Sequence, residues 1–346
     1  MGFMRFGISG ERRMKLIIII PAYNEEASIG SVIKRIPDLT FKKSESKNLL
    51  EKASPKTNIS ETEVIVIDDG SNDNTGKIAK ENGAIVVSHV GNKGVGKAFR
   101  TGIEVALKRK ADIIVNIDAD GQFNPEDIPK LITPILNKES DFVTATRFKN
   151  GNLIGKMPFI KKLGNKAFTK LTSLLTGQRF TDTQCGFRAY SREAALRLNL
   201  YGKFTYTQEV FLDLANKEMK IMEIPLYVKA KRDHGESKVV KSVPKYVFQA
   251  MTIIIRSIRD YKPLAFFGTI GMFSLILGLI SGGFMIVRYI LTGRTSPFQS
   301  LLIVAVGLTV LGVLLIILAL IADMLDRQRR IQEDLLYLRK KEEYSK

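Results

Sequence analysis

Short apolar runs alternate with longer stretches of helical period along the first two thirds of the chain. Lys15–Ile20, Glu63–Ile67, Ala84–Ser88, the Ile113-Ile114-Val115 run, Asp141–Thr146 and Lys220–Ile224 read as strands. Ser28–Ile36, Asn74–Asn82, Gly94–Lys110 and Asp127–Asn137 read as the helices between them. This alternation predicts an α/β sheet, mostly parallel, with ligands at the carboxyl ends of its strands. Residues 156–218 read as helices around the loop Asp182–Arg188, and 40–62, polar and without a period, as a surface insertion. The Asn58-Ile59-Ser60 sequon in that insertion is expected to stay unmodified on a cytosolic domain.

The pattern changes after residue 240. Between Val243 and Ile258, apolar residues recur at 243, 247, 250, 251, 254 and 258, with Lys245, Gln249 and Arg256 between them. The spacing predicts an amphipathic helix lying on a membrane over 241–262. Two uncharged runs follow, 263–287 and 297–322, each long enough to cross a hydrocarbon core of roughly 30 Å. They predict a transmembrane hairpin over 263–322. Arg256, Arg259, Lys262, Arg327, Arg329 and Arg330 flank it outside, against Arg288 and Arg294 in the connecting loop. That bias predicts an integral membrane protein with the 15–240 domain and both termini cytosolic. Residues 323–346 read as a charged C-terminal helix, and copies of the chain can pair through it and the hairpin. Residues 1–14 read as an N-terminal extension, in which Met14 is an alternative start.

Composition narrows the chemistry. The 346 residues carry 53 Lys and Arg against 35 Asp and Glu, a net charge of +18, which suggests a polyanionic partner. Nucleic acid is disfavoured, because no basic stripe is interleaved with aromatics and Trp is absent. One cysteine and two histidines argue against a structural zinc site. Cys185 reads as a packed thiol and His89 as a structural residue. The Gly91–Lys97 stretch matches the phosphate-loop pattern G-x-x-x-x-G-K. However, Ala98 stands where a hydroxyl must bind Mg²⁺, which leaves a glycine-rich helix start with Lys93 beside it.

The candidate chemistry centres on Asn116-Ile117-Asp118-Ala119-Asp120-Gly121-Gln122, at the end of the apolar run from Ile113. Asp118, Asp120 and Gln122 share parity, so an extended chain would present all three oxygens on one side. Such donors suit Mg²⁺ or Mn²⁺ completed by a substrate's phosphates. An Asp-rich solvated turn has the same pattern.

Three motifs in order carry a resemblance: Pro21-Ala22-Tyr23-Asn24-Glu25-Glu26, Asp68-Asp69-Gly70-Ser71 and Asp118-Ala119-Asp120-Gly121-Gln122. Together they resemble the signatures of family 2 glycosyltransferases with the Rossmann-like GT-A fold. Thr144–Phe148, Asp182–Arg188 and Arg232–Lys238 are similar to segments of the polyprenyl-phosphate sugar synthases, which include dolichol-phosphate mannose and glucose synthases and bactoprenol glucosyltransferases. The resemblance covers about residues 15–240.

It implies transfer of a hexose, with inversion, from UDP-glucose or GDP-mannose to a polyprenyl (dolichyl) phosphate. Pro21, Tyr23, Glu25, Asp68, Asp69 and Asp118 would hold the nucleotide, and Asp120 and Gln122 the metal. Asp120, Arg147, Arg232 and Lys238 would carry catalysis, and Lys161, Arg232, His234, Ser237 and Lys238 would meet the acceptor. His234 and Lys161 stand where dolichol-phosphate mannose synthases tend to carry Arg. A lipid phosphate is largely dianionic at neutral pH, so no strong general base is required. Glu209 is the candidate if one acts, and a structural helix residue otherwise. A processive polysaccharide synthase would need a Q-x-x-R-W element, and the chain has no Trp. A non-catalytic nucleotide-sugar binding module shares every other motif.

Overall fold

The computed structural model describes residues 13–39, 59–149, 159–200, 206–229, 255–256 and 258–345, with side chains at 159–161 excepted. Most of the surface insertion, the Arg232–Lys238 loop and the amphipathic stretch to residue 254 lie outside the described residues. Two compact units are present: Met1–Lys241 with Tyr337–Lys346, and Ser242–Leu336.

The first unit is a seven-stranded sheet in the order β3-β2-β1-β4-β6-β5-β7. Its strands are β1 (Met14–Ala22), β2 (Ile59–Asp68), β3 (Ile85–Ser88), β4 (Ile113–Asn116), β5 (Phe142–Thr146), β6 (Arg188–Ser191) and β7 (Ile221–Pro225). The described helices are α1 (Ile29–Lys34), α2 (Thr75–Glu81), α3 (Val95–Lys108), α4 (Ile128–Leu136), α5 (Phe159–Thr176), α6 (Arg192–Arg197) and α7 (Tyr206–Asn216). β1 shows why the sheet is central. Leu16, Ile18 and Ile20 pack into one buried cluster with α1 and α4, while Ile17 and Ile19 pack into the other with α3 and α7. A strand apolar on both faces must be covered on both. Each such side chain contributes about 1.5–3 kcal/mol of burial.

Two local readings are corrected. The stretch 156–218 is not all helical, because Arg188–Ser191 forms β6, antiparallel to both β4 and β5. The insertion ends earlier than residue 62. Ile59 already pairs in β2 with Met14, and Lys15 bonds Glu61 and Glu63, so the polar residues there decorate a strand.

The second unit holds α8 (Pro263–Thr292) and α9 (Gln299–Glu343) as far as Leu336, both helices long and apolar enough to cross a membrane. Only 22% and 11% of their most apolar windows are buried, which distinguishes them from core helices of a soluble fold. They pack through small residues, as helices in lipid do. A Cβ on Gly312 would lie 2.6 Å from the Leu275 backbone nitrogen, and the Ser274 hydroxyl donates to the Leu308 carbonyl at 2.9 Å. The last ten residues of the chain belong to the sheet unit. There the Tyr337 hydroxyl donates to Glu193, Lys340 donates to the Leu198 carbonyl, and Arg192 donates to the Tyr344 carbonyl.

Candidate active site

The strand order reverses between β1 and β4, since β2 and β3 lie on one side of β1 and β4 lies on the other. In an open parallel sheet the crevice at such a point, beyond the strands' carboxyl ends, is where ligands bind. Tyr23 and Glu25 follow β1, Asp68 and Asp69 close β2, and Asp118, Asp120 and Gln122 follow β4, so three of the motifs meet there. Pro21 lies inside β1, buried and opposite Ile67.

The β1 and β2 turns are laced together. Asn24 N–H donates to Ser71 Oγ at 3.0 Å, Asn72 N–H to Asn24 Oδ1 at 2.8 Å, and Glu25 N–H to Thr75 Oγ1 at 2.8 Å. Burial pushes the Asp73 carboxyl up, but hydrogen bonds from the Thr75 hydroxyl and backbone outweigh it and hold Asp73 below its usual range. Asp68 accepts from Ser71 N–H at 3.0 Å. Asp69 faces a different group. Its carboxylate accepts from Lys93 N–H and Gly94 N–H at 3.0 and 2.8 Å and contacts His89 Nδ1 at 2.7 Å. His89 Nε2 in turn lies 3.0 Å from Thr101 Oγ1. The glycine-rich stretch is therefore a loop pinned by a buried carboxylate, which takes up the Lys93 and Gly94 N–H groups.

The acidic turn differs from its predicted form. Strand pairing stops at Asn116, residues 119–121 turn, and Gly121 adopts φ 72°. Asp118 and Asp120 are thus placed by a turn and not by strand alternation. Asp120 is buried and accepts Gln122 N–H at 3.1 Å, while the Gln122 amide donates to the Lys229 carbonyl at 3.1 Å. Among the described residues no group of three or more His, Cys, Asp or Glu could hold a metal alone. An all-oxygen set of one or two carboxylates fits a divalent cation that completes its shell with ligand phosphates and water. The donor set is therefore suited to Mg²⁺ or Mn²⁺ and unsuited to zinc.

Asp118 is held from the next strand. A Cβ on Gly186 would lie 2.5 Å from Asp118 Oδ2, so only a glycine lets the carboxylate rest there. Asn116, fully buried, donates to the Gly186 carbonyl at 2.7 Å. Arg188, also fully buried, donates through Nε to the Cys185 carbonyl at 2.7 Å and through Nη2 to the Thr183 carbonyl at 3.0 Å. Its guanidinium lies 5.1 Å from the Phe211 ring centre. The buried hydroxyl of Tyr206 is pushed up in pKa by desolvation and then by the Asp118 charge, which puts that carboxylate's field on α7. Asn116, Gly186 and Arg188 fall inside the Asn116–Gln122 and Asp182–Arg188 segments without a role assigned to them there, and Tyr206 falls outside every motif. The Asp182–Arg188 segment was the available signal for Gly186 and Arg188.

Arg147, beyond β5, forks onto Asp182. Its Nε and Nη2 donate at 2.6 and 2.9 Å to the two carboxylate oxygens, which also accept from Asn165 Nδ2 at 3.0 Å. Burial works against the Arg147 charge, yet the Asp182 contact raises its pKa further above the usual value. Asp182 has no solvent exposure, and Glu223 anchors the backbone N–H groups of Thr181 and Asp182 at 2.9 Å each. Removing Arg147 strands a buried charge. Arg147→Ala is expected to cost about 3–5 kcal/mol of stability. Thermal unfolding of the purified protein checks this, and an unchanged Tm would mean that Asp182 finds another partner. Cys185, between these groups, is buried, and desolvation followed by the Asp182 charge pushes its thiol up to about 12. It is an inert packed thiol.

Lys161 lies in α5, and Glu209 lies in α7, partly buried. Arg232, His234, Ser237 and Lys238 lie outside the described residues.

The family described as Glycosyl transferase family 2 matches residues 17–198, just over half of the chain. The chain belongs to that family. A UDP-N-acetylglucosamine–dolichyl-phosphate N-acetylglucosaminyltransferase of Methanococcus voltae is 37% identical over 233 residues, covering 61% of this chain and 85% of that protein. The glycosyltransferase AglJ of Haloferax volcanii is 26% identical over 322 residues, covering 91% of this chain and 97% of that protein. A glucosyl-3-phosphoglycerate synthase from Mycobacterium tuberculosis, solved with Mn²⁺ and UDP, superposes with a TM-score of 0.51 over 71% of this chain and 78% of its own. At 22% identity that likeness establishes the GT-A-type sheet alone.

Proposed function

We propose that this family 2 enzyme is a membrane-bound, inverting glycosyltransferase that moves a sugar from a nucleoside diphosphate to a polyprenyl phosphate. The observation that carries the reading is the Asp118–Asp120 turn at the switch point of the sheet, in a chain with two apolar helices of membrane-spanning length. The Methanococcus relative, named for UDP-N-acetylglucosamine and dolichyl phosphate, supports the acceptor class and widens the sugar beyond glucose and mannose to N-acetylhexosamines.

Tyr23, Glu25 and Asp68 line the nucleoside end of the crevice. Asp69 acts by holding the Gly91–Gly94 loop beside them. Asp120, with Gln122 and Asp118, holds Mg²⁺ or Mn²⁺, which supplies positive charge to the departing diphosphate. Arg147, fixed in direction by Asp182, offers its remaining Nη1 donors to phosphate. Arg232, His234, Ser237 and Lys238, with Lys161, meet the acceptor. The acceptor phosphate attacks as a dianion, so the residues' work is to hold two anions in contact against their repulsion.

Purified protein incubated with Mn²⁺, undecaprenyl or dolichyl phosphate, and UDP-N-acetylglucosamine, UDP-glucose or GDP-mannose in turn tests the reading. Mass spectrometry should find a glycosylated lipid phosphate from one donor. Binding of a donor without any lipid product would instead indicate a nucleotide-sugar binding module.

Tail residues Tyr337–Lys346 share a compact unit with the sheet, which supports an even number of membrane crossings between them. With the arginine-rich flanks, both then face the cytosol. Cysteines at Gly293 and Ser345 are expected to label from opposite sides of sealed vesicles. Labelling of both from one side would remove the hairpin.

A further inference from the structure

Helix α5 has two faces of different character. Asn165, Phe168, Thr169, Thr172 and Leu175 are buried, with Asn165 bonded to Asp182 and the Thr169 hydroxyl 3.2 Å from that of Thr183. The opposite face is exposed. Lys162, Lys166 and Lys170 recur every four residues and so form one row along it. Leu163, Ala167 and Leu174 form the adjacent row, with Leu163 57% and Leu174 72% exposed. The helix has four lysines and no acidic residue. None of the three lysines on this face has an ion pair with a described carboxylate.

Single exposed leucines need no explanation. Two leucines three turns apart on one row, beside a parallel row of lysines, are a different case. An apolar row edged by a lysine row is the pattern of a helix lying in a bilayer interface, with leucines among the acyl chains and ammonium groups among the phosphates. The occupant must offer both negative charge and an apolar layer. A second copy of this chain, strongly basic overall, would oppose the lysine row with positive charge.

We infer that the exposed face of α5 docks the catalytic domain onto an anionic lipid surface, as a contact separate from the two apolar helices. The docked face lies about one helix diameter, 10–12 Å, from the Asp182–Arg147 pair that the buried face supports. A lipid-linked phosphate rising from the same surface is then within reach of Arg147. The docking itself is independent of which residues bind the nucleotide.

The test uses the full-length protein in nanodiscs, with a nitroxide on Leu174→Cys and a control label on Glu139→Cys. Cys185 is buried and stays unlabelled. In phosphatidylglycerol-containing discs the label at 174 should be reached by oxygen and shielded from a water-soluble nickel chelate, whereas the label at 139 should show the reverse. Charge reversal of Lys162, Lys166 and Lys170 to Glu should return the label at 174 to water, because each lysine near an anionic surface contributes about fivefold in partitioning. The same variant should keep its activity in detergent at saturating acceptor, which separates failed docking from a failed catalytic assignment. Equal chelate access at 174 and 139 would overturn the proposal. So would immobilisation of the label that depends on protein density and not on lipid charge, which would assign the face to a second copy.

Discussion

Asp120→Asn is expected to reduce sugar transfer by about a thousandfold while leaving the protein folded. The substitution keeps the shape of the side chain, and the amide oxygen can still accept Gln122 N–H at the observed 3.1 Å. What disappears is one negative charge from a site that offers at most two carboxylates among the described residues. A cation held by so few protein ligands would rely on each, and when bound it would stabilise the leaving diphosphate by roughly several kcal/mol. In the parent protein a chelator should abolish transfer and Mn²⁺ should restore it. In the Asn variant, excess Mn²⁺ should recover only part of the rate. An unchanged Tm with lost turnover assigns Asp120 to the metal. Parental turnover in the variant would remove the metal from this turn.

The parts of this architecture that are legible in the sequence are those set by local apolar pattern. Leu16–Ile20 and Ile113–Val115 are apolar at every position because helices cover both faces of the sheet. The acidic turns are legible because their residues must follow such strands directly. The chain beyond residue 262 is legible because lipid demands a long unbroken apolar run. The remainder depended on partners distant in sequence. Arg147 and Asp182 are 35 residues apart, and nothing near Arg147 signals that its fork is already occupied. Strand β6 was hidden because its first residue, Arg188, looks like a surface residue, yet two carbonyls and the aromatic faces of Phe142 and Phe211 make its burial tolerable. The tail reads as a solvated charged helix, since Tyr337, Lys340 and Tyr344 follow no strong apolar period. Their docking rests on bonds to α6 and the loop after it.

These distant contacts divide the labour in the site. Asp118, Asp120 and Gln122 follow β4 at the crevice, while Asp69, Asp182 and Glu223 accept from backbone N–H groups, with His89 against Asp69 and Arg147 against Asp182. Carboxylates that look alike in sequence thus have different tasks. Asp69, Asp182 and Glu223 set loop positions, and the proposed cation would fall to the carboxylates of the β4 turn. A variant of the positioning group is expected to lower stability and rate together, whereas a variant of the β4 turn lowers rate alone.

Gly186→Ala separates position from chemistry, because it adds one methyl group and removes nothing. Gly186 does not have the positive φ that disfavours an L-residue, so alanine brings no backbone strain. Its Cβ would lie 2.5 Å from Asp118 Oδ2 and 2.9 Å from Oδ1, closer than a carbon and an oxygen can approach. The Gly186 backbone has little room to withdraw, since buried Asn116 holds its carbonyl at 2.7 Å and Arg188 grips the adjacent loop. The carboxylate must move instead, by an ångström or so, and a displacement of that size at a reacting centre costs about a hundredfold in rate. We expect weaker donor and Mn²⁺ binding, an acceptor KM near that of the parent, and little change in Tm. A double-mutant cycle decides whether Asp118 is the cause. In an Asp118→Ala background there is no carboxylate to displace, so adding Gly186→Ala should do almost nothing further. If the two losses instead add in full, the glycine acts on some group other than Asp118, and the cradle read from this geometry is wrong.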